Sequence, residues 1–270
     1  MNKCNQYEED YSNLLRKVLA EGEYRDDRTG VGTTAIFGAT LKADLREGFP
    51  ILSNKRMSLK VAKTELLWML SGSKNIKFLQ DNGIKIWNEW AGADGYIGPI
   101  YGYQMRNFGG SGVDQIRDLI DGIKKNPTSR RHLVTMWNPT DLPKMNLPPC
   151  HYSFQCYISN DGHLDLMFNM RSVDCFLGLP YDMALYGILM HMISNATGLK
   201  PRYLQLNSAD THIYSNHNNA VNEYLSRGCL TTSAPQLVIA DKSGIDDYTM
   251  DDIKLINYSP QGLIKALIAI

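Results

Sequence analysis

The chain has no excess of charge of either sign, with 28 lysines and arginines against 28 aspartates and glutamates. A neutral chain is a poor bulk binder of nucleic acid or of an anionic membrane surface, because both kinds of binding run on net positive charge. Small anions need only a local basic cluster and are still admissible ligands. Cysteine is sparse: Cys4, Cys150, Cys156, Cys175 and Cys229 are odd in number, far apart, and include no CxxC. That excludes a disulfide framework or a zinc ribbon and suits a reducing cytoplasm. The six histidines lack HExxH or similar spacing, so no metal is expected. No apolar run approaches the ~20 residues of a membrane span. The opening MNKCNQYEED is too polar and acidic for a secretory signal. Internal repeats, low-complexity tracts and Gly/Ser linkers are also missing.

What is present suits a large core: 270 residues, 43% hydrophobic and 10% aromatic. Helical spacing of Tyr11, Leu14, Leu15, Val18 and Leu19 predicts an amphipathic helix over 7–21. Clean alternation from Ala35 to Leu45, through Phe37, Ala39, Leu41 and Ala43, predicts a half-buried strand over 34–45. Helices are expected over 58–71, over 114–126, after the Phe176–Asp182 run to about Asn195, and to about Arg227. Strands are expected over 132–137, on both sides of the hairpin turn Asn160-Asp161-Gly162, and over 203–208. Strands and helices mix without strict βαβ alternation, which favours one α+β domain over 1–270.

Several stretches carry possible chemistry. In Leu147-Pro148-Pro149-Cys150-His151 two prolines stiffen the backbone just before a strand-like run, a suitable mount for a nucleophile, although a lone cysteine is equally a buried thiol. Cys150 and His151 are not expected to form a dyad, because neighbouring side chains on an extended chain point to opposite faces. The loop from Arg25 to Thr33 has two glycines that let its backbone approach an anion, or it is a plain turn. Glu65 lies beside an apolar helical stripe, either as a solvated flank or as a carboxyl in a dry pocket with a raised pKa. Trp87 and Trp90 suit an aromatic wall for a flat ligand as well as they suit core packing. Arg130 and Arg131 adjoin a strand start, where they form a phosphate fork or a solvated pair.

These stretches together resemble the thymidylate synthase family over nearly the whole chain. The resemblance is carried by DRTGVGT, ELLWML, IWNEW, GPIYGYQ, SRRH…MWNP, LPPCH, RSVDCFLGLP, DTHIYSNH and the closing KALIAI. It implies an α+β fold on a large mixed β-sheet flanked by helices. It also implies a homodimer packed through that sheet, and one-carbon transfer from 5,10-methylenetetrahydrofolate to C5 of a pyrimidine 5′-monophosphate. By resemblance Cys150 is the nucleophile, adding to C6 so that C5 becomes enolate-like, and it needs positive surroundings to ionise. Arg28, Arg171 and Ser172, with Arg130 and Arg131 donated by the other subunit, match a phosphate cradle. His212 and Tyr214 match the pair on the ribose 3′-hydroxyl, Glu65 the carboxylate that moves protons at the base, and Tyr101 the group that assists removal of the C5 proton. Lys55, Trp87, Trp90, Asp174, Phe176, Leu177 and Gly178 match the folate side, with Asp174 on the pterin and Lys55 at the glutamate tail. Ile270 belongs to a tail that closes over the ligands.

Two departures from the family pattern concern the base. Asp182 stands where thymidylate synthases carry the asparagine that reads uracil, and a carboxylate accepts from the 4-amino group of cytosine instead. Met170 replaces a glutamine, and the resulting Asn169-Met170-Arg171-Ser172 resembles the deoxycytidylate hydroxymethylases of bacteriophages. Both changes point to dCMP, with dUMP as the alternative and the host cytoplasm as the setting of a phage-encoded enzyme. Trp87, Tyr101 and the full-length tail favour a dry pocket and a methyl product, whereas the NMRS run favours water and a hydroxymethyl product. The balance is taken for methyl. Ser58 and Leu267 depart at the folate tail and at the closing segment. A silent RNA-binding relative is disfavoured by the retained Cys150, Glu65 and arginines and by the zero net charge.

Overall fold

A computed structural model of the chain describes residues 5–228 and 234–269. Ile270 therefore lies outside the described residues, as do Cys4 and Cys229.

Six strands form a mixed sheet: β1 (Glu23–Arg25), β2 (Thr33–Asp44), β3 (Leu133–Thr135), β4 (His151–Ile158), β5 (His163–Asp174) and β6 (Lys200–Tyr214), in the spatial order β1-β2-β6-β5-β4-β3. Only β5 and β6 run parallel, joined by the twenty-residue α6 (Gly178–Thr197). That helix is apolar on nearly every side because it is buried on nearly every side. It stops at Gly198, whose φ of 70° suits a left-handed cap. The expected hairpin forms between β4 and β5, with Gly162 at φ 79°.

Period-two burial along β5 sends Leu164, Leu166, Phe168 and Met170 into the core, where the Phe168 ring stacks on Tyr186 of α6 at 4.2 Å. Around this lie α1 (Gln6–Glu21) against β2, α2 (Leu59–Leu70) against α6, and the short α3 (Lys77–Asp81), α4 (Tyr101–Arg106) and α5 (Gln115–Lys125). In α5 the expected inward set, Ile116, Leu119, Ile120 and Ile123, is buried. The chain closes with α7 (Asn218–Ser226), the pair β7 (Gln236–Ile239) and β8 (Ile253–Ile256), and an irregular tail. No helix among the described residues is long and apolar enough to cross a membrane.

Two expectations need correction. The strand expected over 203–208 runs from Lys200 to Tyr214, because β2 and β5 both pair with it and carry the ladder through the polar Asp210 and His212. Alternation in β2 also fails locally. Gly38, at φ 82°, interrupts the pleat, and Phe37 is 89% exposed instead of facing the core.

One buried acid fastens the helical layer. Glu8 of α1 accepts the backbone N–H groups of Ser53 (2.8 Å) and Asn54 (2.7 Å) and the Tyr224 hydroxyl (3.1 Å). Burial raises its pKa, and these hydrogen bonds oppose that rise.

Candidate active site

The cleft opens where β5 and β6 end and the loop before β4 arrives. Its cavity holds about 440 Å³ and is lined by Arg28, Cys150, Arg171, Ser172, His212 and Tyr214, with Trp90 and Asp174 toward the other end and Ile268 and Ala269 of the tail beside them. Thus residues from six separate stretches of sequence meet around one cavity. Arg130 and Arg131 are exposed and do not line this cavity.

The stiffness expected of the Pro148-Pro149 loop has a structural partner. Arg171 donates from Nε to the Pro149 carbonyl and from Nη2 to the Pro148 carbonyl, both at 2.9 Å. Its backbone N–H also bonds the Cys150 carbonyl at 2.9 Å. The Cys150 N–H donates to the Tyr101 hydroxyl at 2.9 Å. The thiol is therefore placed by its own backbone. Burial pushes its pKa up; Arg171 pulls down and Asp182 pushes up again. The expected lowering by an arginine is present, but within a single chain it does not win.

His151 turns away from the thiol, its Nδ1 2.9 Å from the Tyr186 hydroxyl and its ring 4.3 Å from that of Tyr101. Burial holds it neutral, with a pKa of about 3. No Cys-His dyad forms here.

Glu65 resolves in favour of the dry pocket. Burial raises its pKa to about 7, against the pull of a hydrogen bond from the Trp87 indole Nε1 at 2.7 Å. Trp87 packs edge-on to Trp90 at 5.7 Å and to Tyr101 at 5.6 Å, so the pair is both core and wall. Asp182, near the start of α6, has its pKa raised by burial and by the charges of Glu65 and Asp174. Among the described residues, no hydrogen bond reaches its carboxyl. Gly178 lies between the two aspartates: a Cβ there would be 3.6 Å from Asp174 Cβ and 3.8 Å from Asp182 Oδ2. Met170 is buried on β5, paired in register with His151.

At the other end, Asp174 Oδ1 accepts from the N–H groups of Phe176 (2.9 Å) and Leu177 (3.1 Å). Burial opposes its charge, but His217 and these N–H groups outweigh burial and hold its pKa down. Lys55 is 4% exposed. Its ammonium donates to the Phe176 carbonyl and sits 3.8 Å from the centre of the Phe176 ring, and desolvation lowers its pKa to about 8.

On β6, His212 Nδ1 lies 2.8 Å from Asp210, which also pairs with Arg25 at 2.9 Å. The glycine loop does not present its amides to a ligand, because Thr29 and Gly32 donate to Asp27 of the same loop.

The model of the family described as thymidylate synthase matches residues 9–270. The chain is also 50% identical, over 278 aligned positions, to the "Probable thymidylate synthase" of Escherichia phage T5, across 95% of this chain and 98% of that protein. The chain belongs to the thymidylate synthase family. It is a folate-dependent pyrimidine C5-methyltransferase, and the α+β fold expected from the family motifs is the one observed. Of the residues named from the family resemblance, Arg28, Trp90, Cys150, Arg171, Ser172, Asp174, His212 and Tyr214 line this cavity, whereas Arg130 and Arg131 do not. Four structural supports have no marker in the sequence: Asp210 behind His212, Tyr186 behind His151, Glu8 beneath the 53–54 segment, and His217 beside Asp174. His217 stands inside DTHIYSNH, yet nothing in that run shows that it meets Asp174, 43 residues earlier in the chain.

Proposed function

We propose that the preferred substrate is dCMP, converted to 5-methyl-dCMP with 5,10-methylenetetrahydrofolate as co-substrate. The observation that carries this reading is the carboxyl at position 182, held beside Gly178 with its pKa raised by burial. A neutral carboxylic acid presents one O–H donor and one C=O acceptor side by side. Cytosine matches it by accepting at N3 and donating from the 4-amino group. Uracil matches it less well, because its O4 is a weaker acceptor than cytosine N3. If Asp182 ionises, cytosine keeps its amino hydrogen bond, while uracil O4 faces a negative charge.

The assigned roles are those that the family resemblance implies, and the placements support them. Cys150 adds to C6 of the ring, which makes C5 nucleophilic. Glu65, with its pKa near neutrality, can hold or move a proton at the base. The Tyr101 hydroxyl, raised by burial, stays protonated beside Cys150 and assists removal of the C5 proton. Arg28, Arg171 and Ser172 receive the phosphate, and His212 and Tyr214 the 3′-hydroxyl. The folate fits by donor chemistry. A carboxylate at Asp174 beside the apolar surfaces of Trp87, Trp90, Phe176 and Leu177, with Gly178 leaving room, suits a flat ring rich in N–H donors. Bound there, it supplies the one-carbon unit and a hydride. The retained wall and tail keep water out, which favours methyl over hydroxymethyl.

Arg130 and Arg131 are assigned to a partner subunit's cleft, in a homodimer packed through the sheet face that carries Thr40, Lys42, Gln155, Asn169, Gln205 and Asn207. Exposed arginines outside their own cleft support this, and so does a thiol that one chain's charges leave protonated. Lys55 keeps its assignment to the folate glutamate tail only if its ammonium leaves the Phe176 carbonyl.

The second reading is dUMP. It is favoured because a neutral Asp182 can also donate to O4, and because the T5 relative is named a thymidylate synthase. The test is to incubate the protein with 5,10-methylenetetrahydrofolate and either nucleotide, weigh the product, and follow dihydrofolate absorbance. Methylated dCMP with dihydrofolate release is expected. Turnover of dUMP with dCMP inert overturns the cytosine reading, and a hydroxymethyl product without dihydrofolate overturns the methyl assignment.

A further inference from the structure

The tail after β8 is irregular but fastened at three places. The Tyr258 hydroxyl donates to the Leu52 carbonyl at 2.9 Å and accepts the Met57 N–H at 2.8 Å. The Gln261 N–H bonds the Ser53 carbonyl at 2.8 Å, and the Gly262 carbonyl accepts from Arg227 at 2.6 Å. The last fastening is the Leu267 carbonyl, which meets His217 Nε2 at 2.8 Å and the Asn216 amide at 3.2 Å. The Leu267 side chain is 76% exposed, so its carbonyl does the holding. Ile268 and Ala269, just beyond, line the same cavity as Cys150. Beyond Ile264, which is buried in the core, closure over the cleft therefore hangs on the contacts that His217 and Asn216 make with the Leu267 carbonyl.

The His217 ring is wholly buried. Its other nitrogen, Nδ1, stands 3.5 Å from Asp174 Oδ1, at ion-pair distance but without an aligned hydrogen bond. The groups facing the ring are Asp174 at the end of β5, Lys55 from the segment after α1 and β2, Tyr214 of β6 with its ring 5.5 Å away, Phe176 at 5.9 Å, and the tail itself. An acceptor thus lies beside each ring nitrogen. A neutral imidazole carries one N–H and serves one of them, leaving a lone pair against either a carboxylate or a carbonyl. Only the imidazolium serves both.

We propose that His217 is a charged latch: as imidazolium it ties the Leu267 carbonyl of the tail to the Asp174 end of the cleft, and loss of its proton frees the tail. His217 is a positioning residue, acting through Asp174 and the tail. Burial and Lys55 work against its charge, but Asp174 and the Leu267 carbonyl outweigh them and raise its pKa. The sign follows from that direction. A raised pKa means that the latch is complete at low pH and is lost as pH rises through the docked-state value. Because Asp174 is the carboxylate assigned to the pterin, the same proton links tail closure to the charge met at the folate end. That last link rests on the proposed folate placement. The latch itself does not, and it operates in the ligand-free protein.

The test uses the ligand-free full chain. Carboxypeptidase release of the C-terminal residues is followed across pH and divided by release from a free peptide of the tail sequence at the same pH. Losing one hydrogen bond to a charged group should raise the open fraction about 10- to 100-fold between about pH 6 and about pH 9. His217→Gln supplies an uncharged amide donor for Leu267, so its protection should be flat across this range. A flat profile in the natural chain, or an unchanged pH dependence in His217→Gln, overturns the latch. Should that variant fail to fold, nitrogen-15 spectra of the natural His217 ring decide. A doubly protonated ring at about pH 6 supports the latch, and a single neutral tautomer there refutes it.

Discussion

Replacing Trp87 by phenylalanine should move the Glu65 pKa upward. The Glu65 carboxyl is buried beside an indole N–H at 2.7 Å, and that hydrogen bond is its one resolved source of stabilisation in the charged form. A hydrogen bond to a charged group contributes about 1.5–3 kcal/mol net. At about 1.36 kcal/mol per pH unit this is an upward move of about one to two units. Glu65 in the natural chain sits at about 7, so in Trp87→Phe it should titrate near 8 to 9, by the same order-of-magnitude conversion. Phenylalanine keeps an aromatic ring against Tyr101 and Trp90 while deleting only the donor and part of the wall. The competing outcome has the opposite sign: water entering the space left by the indole would relieve desolvation and lower the pKa. The assay is the pH profile of kcat/KM, supported by carbon-13 titration of the Glu65 carboxyl. An unchanged or lowered value in Trp87→Phe would falsify the reasoning.

Cys150→Ala should abolish turnover and leave nucleotide binding within about 1 kcal/mol of the natural value, since the removed sulfur bonds the ring only during reaction; calorimetric titration with dCMP checks this, and surviving turnover removes Cys150 as nucleophile. Asp182→Asn should shift the dCMP/dUMP ratio of kcat/KM toward dUMP by about tenfold or more, the scale of one mismatched polar pair; competition between the two nucleotides measures it, and an unchanged ratio removes Asp182 as the reader. Glu8→Ala should cost about 3–5 kcal/mol of stability, because two backbone N–H groups and a tyrosine hydroxyl lose their buried acceptor. Glu8→Gln, which keeps an oxygen there, should cost about 1 kcal/mol or less. Denaturant unfolding separates them, and equal losses would refute the acceptor role.

The expectations that held are those encoded within short windows. The α5 stripe, the Asn160-Asp161-Gly162 turn and the alternation of β5 each depend on neighbours within a few residues, where side-chain direction follows from backbone period alone. The strand around Asp210 and His212 was not legible, because its polarity reads as loop until two partner strands are known. Lys55 illustrates the limit in another way. Its type suggests an exposed ammonium for an anionic tail, whereas packing puts it on the Phe176 carbonyl.

By itself, the sequence determined the family, the thiol on a proline-stiffened loop, and the carboxyl at position 182. These depend on which atoms are present, and residue identity settles that. The tertiary structure alone decided the charge states: Glu65 near neutrality, Asp182 raised, the Cys150 thiol pushed up despite Arg171, and His217 raised by Asp174. The physical reason is that a pKa depends on burial and on distances to charges far away in sequence. It was also the tertiary structure that decided how the tail is held. The sequence draws attention to the leucine side chain at 267, but the contact is made by its carbonyl, which every residue carries and which only the fold can bring to His217.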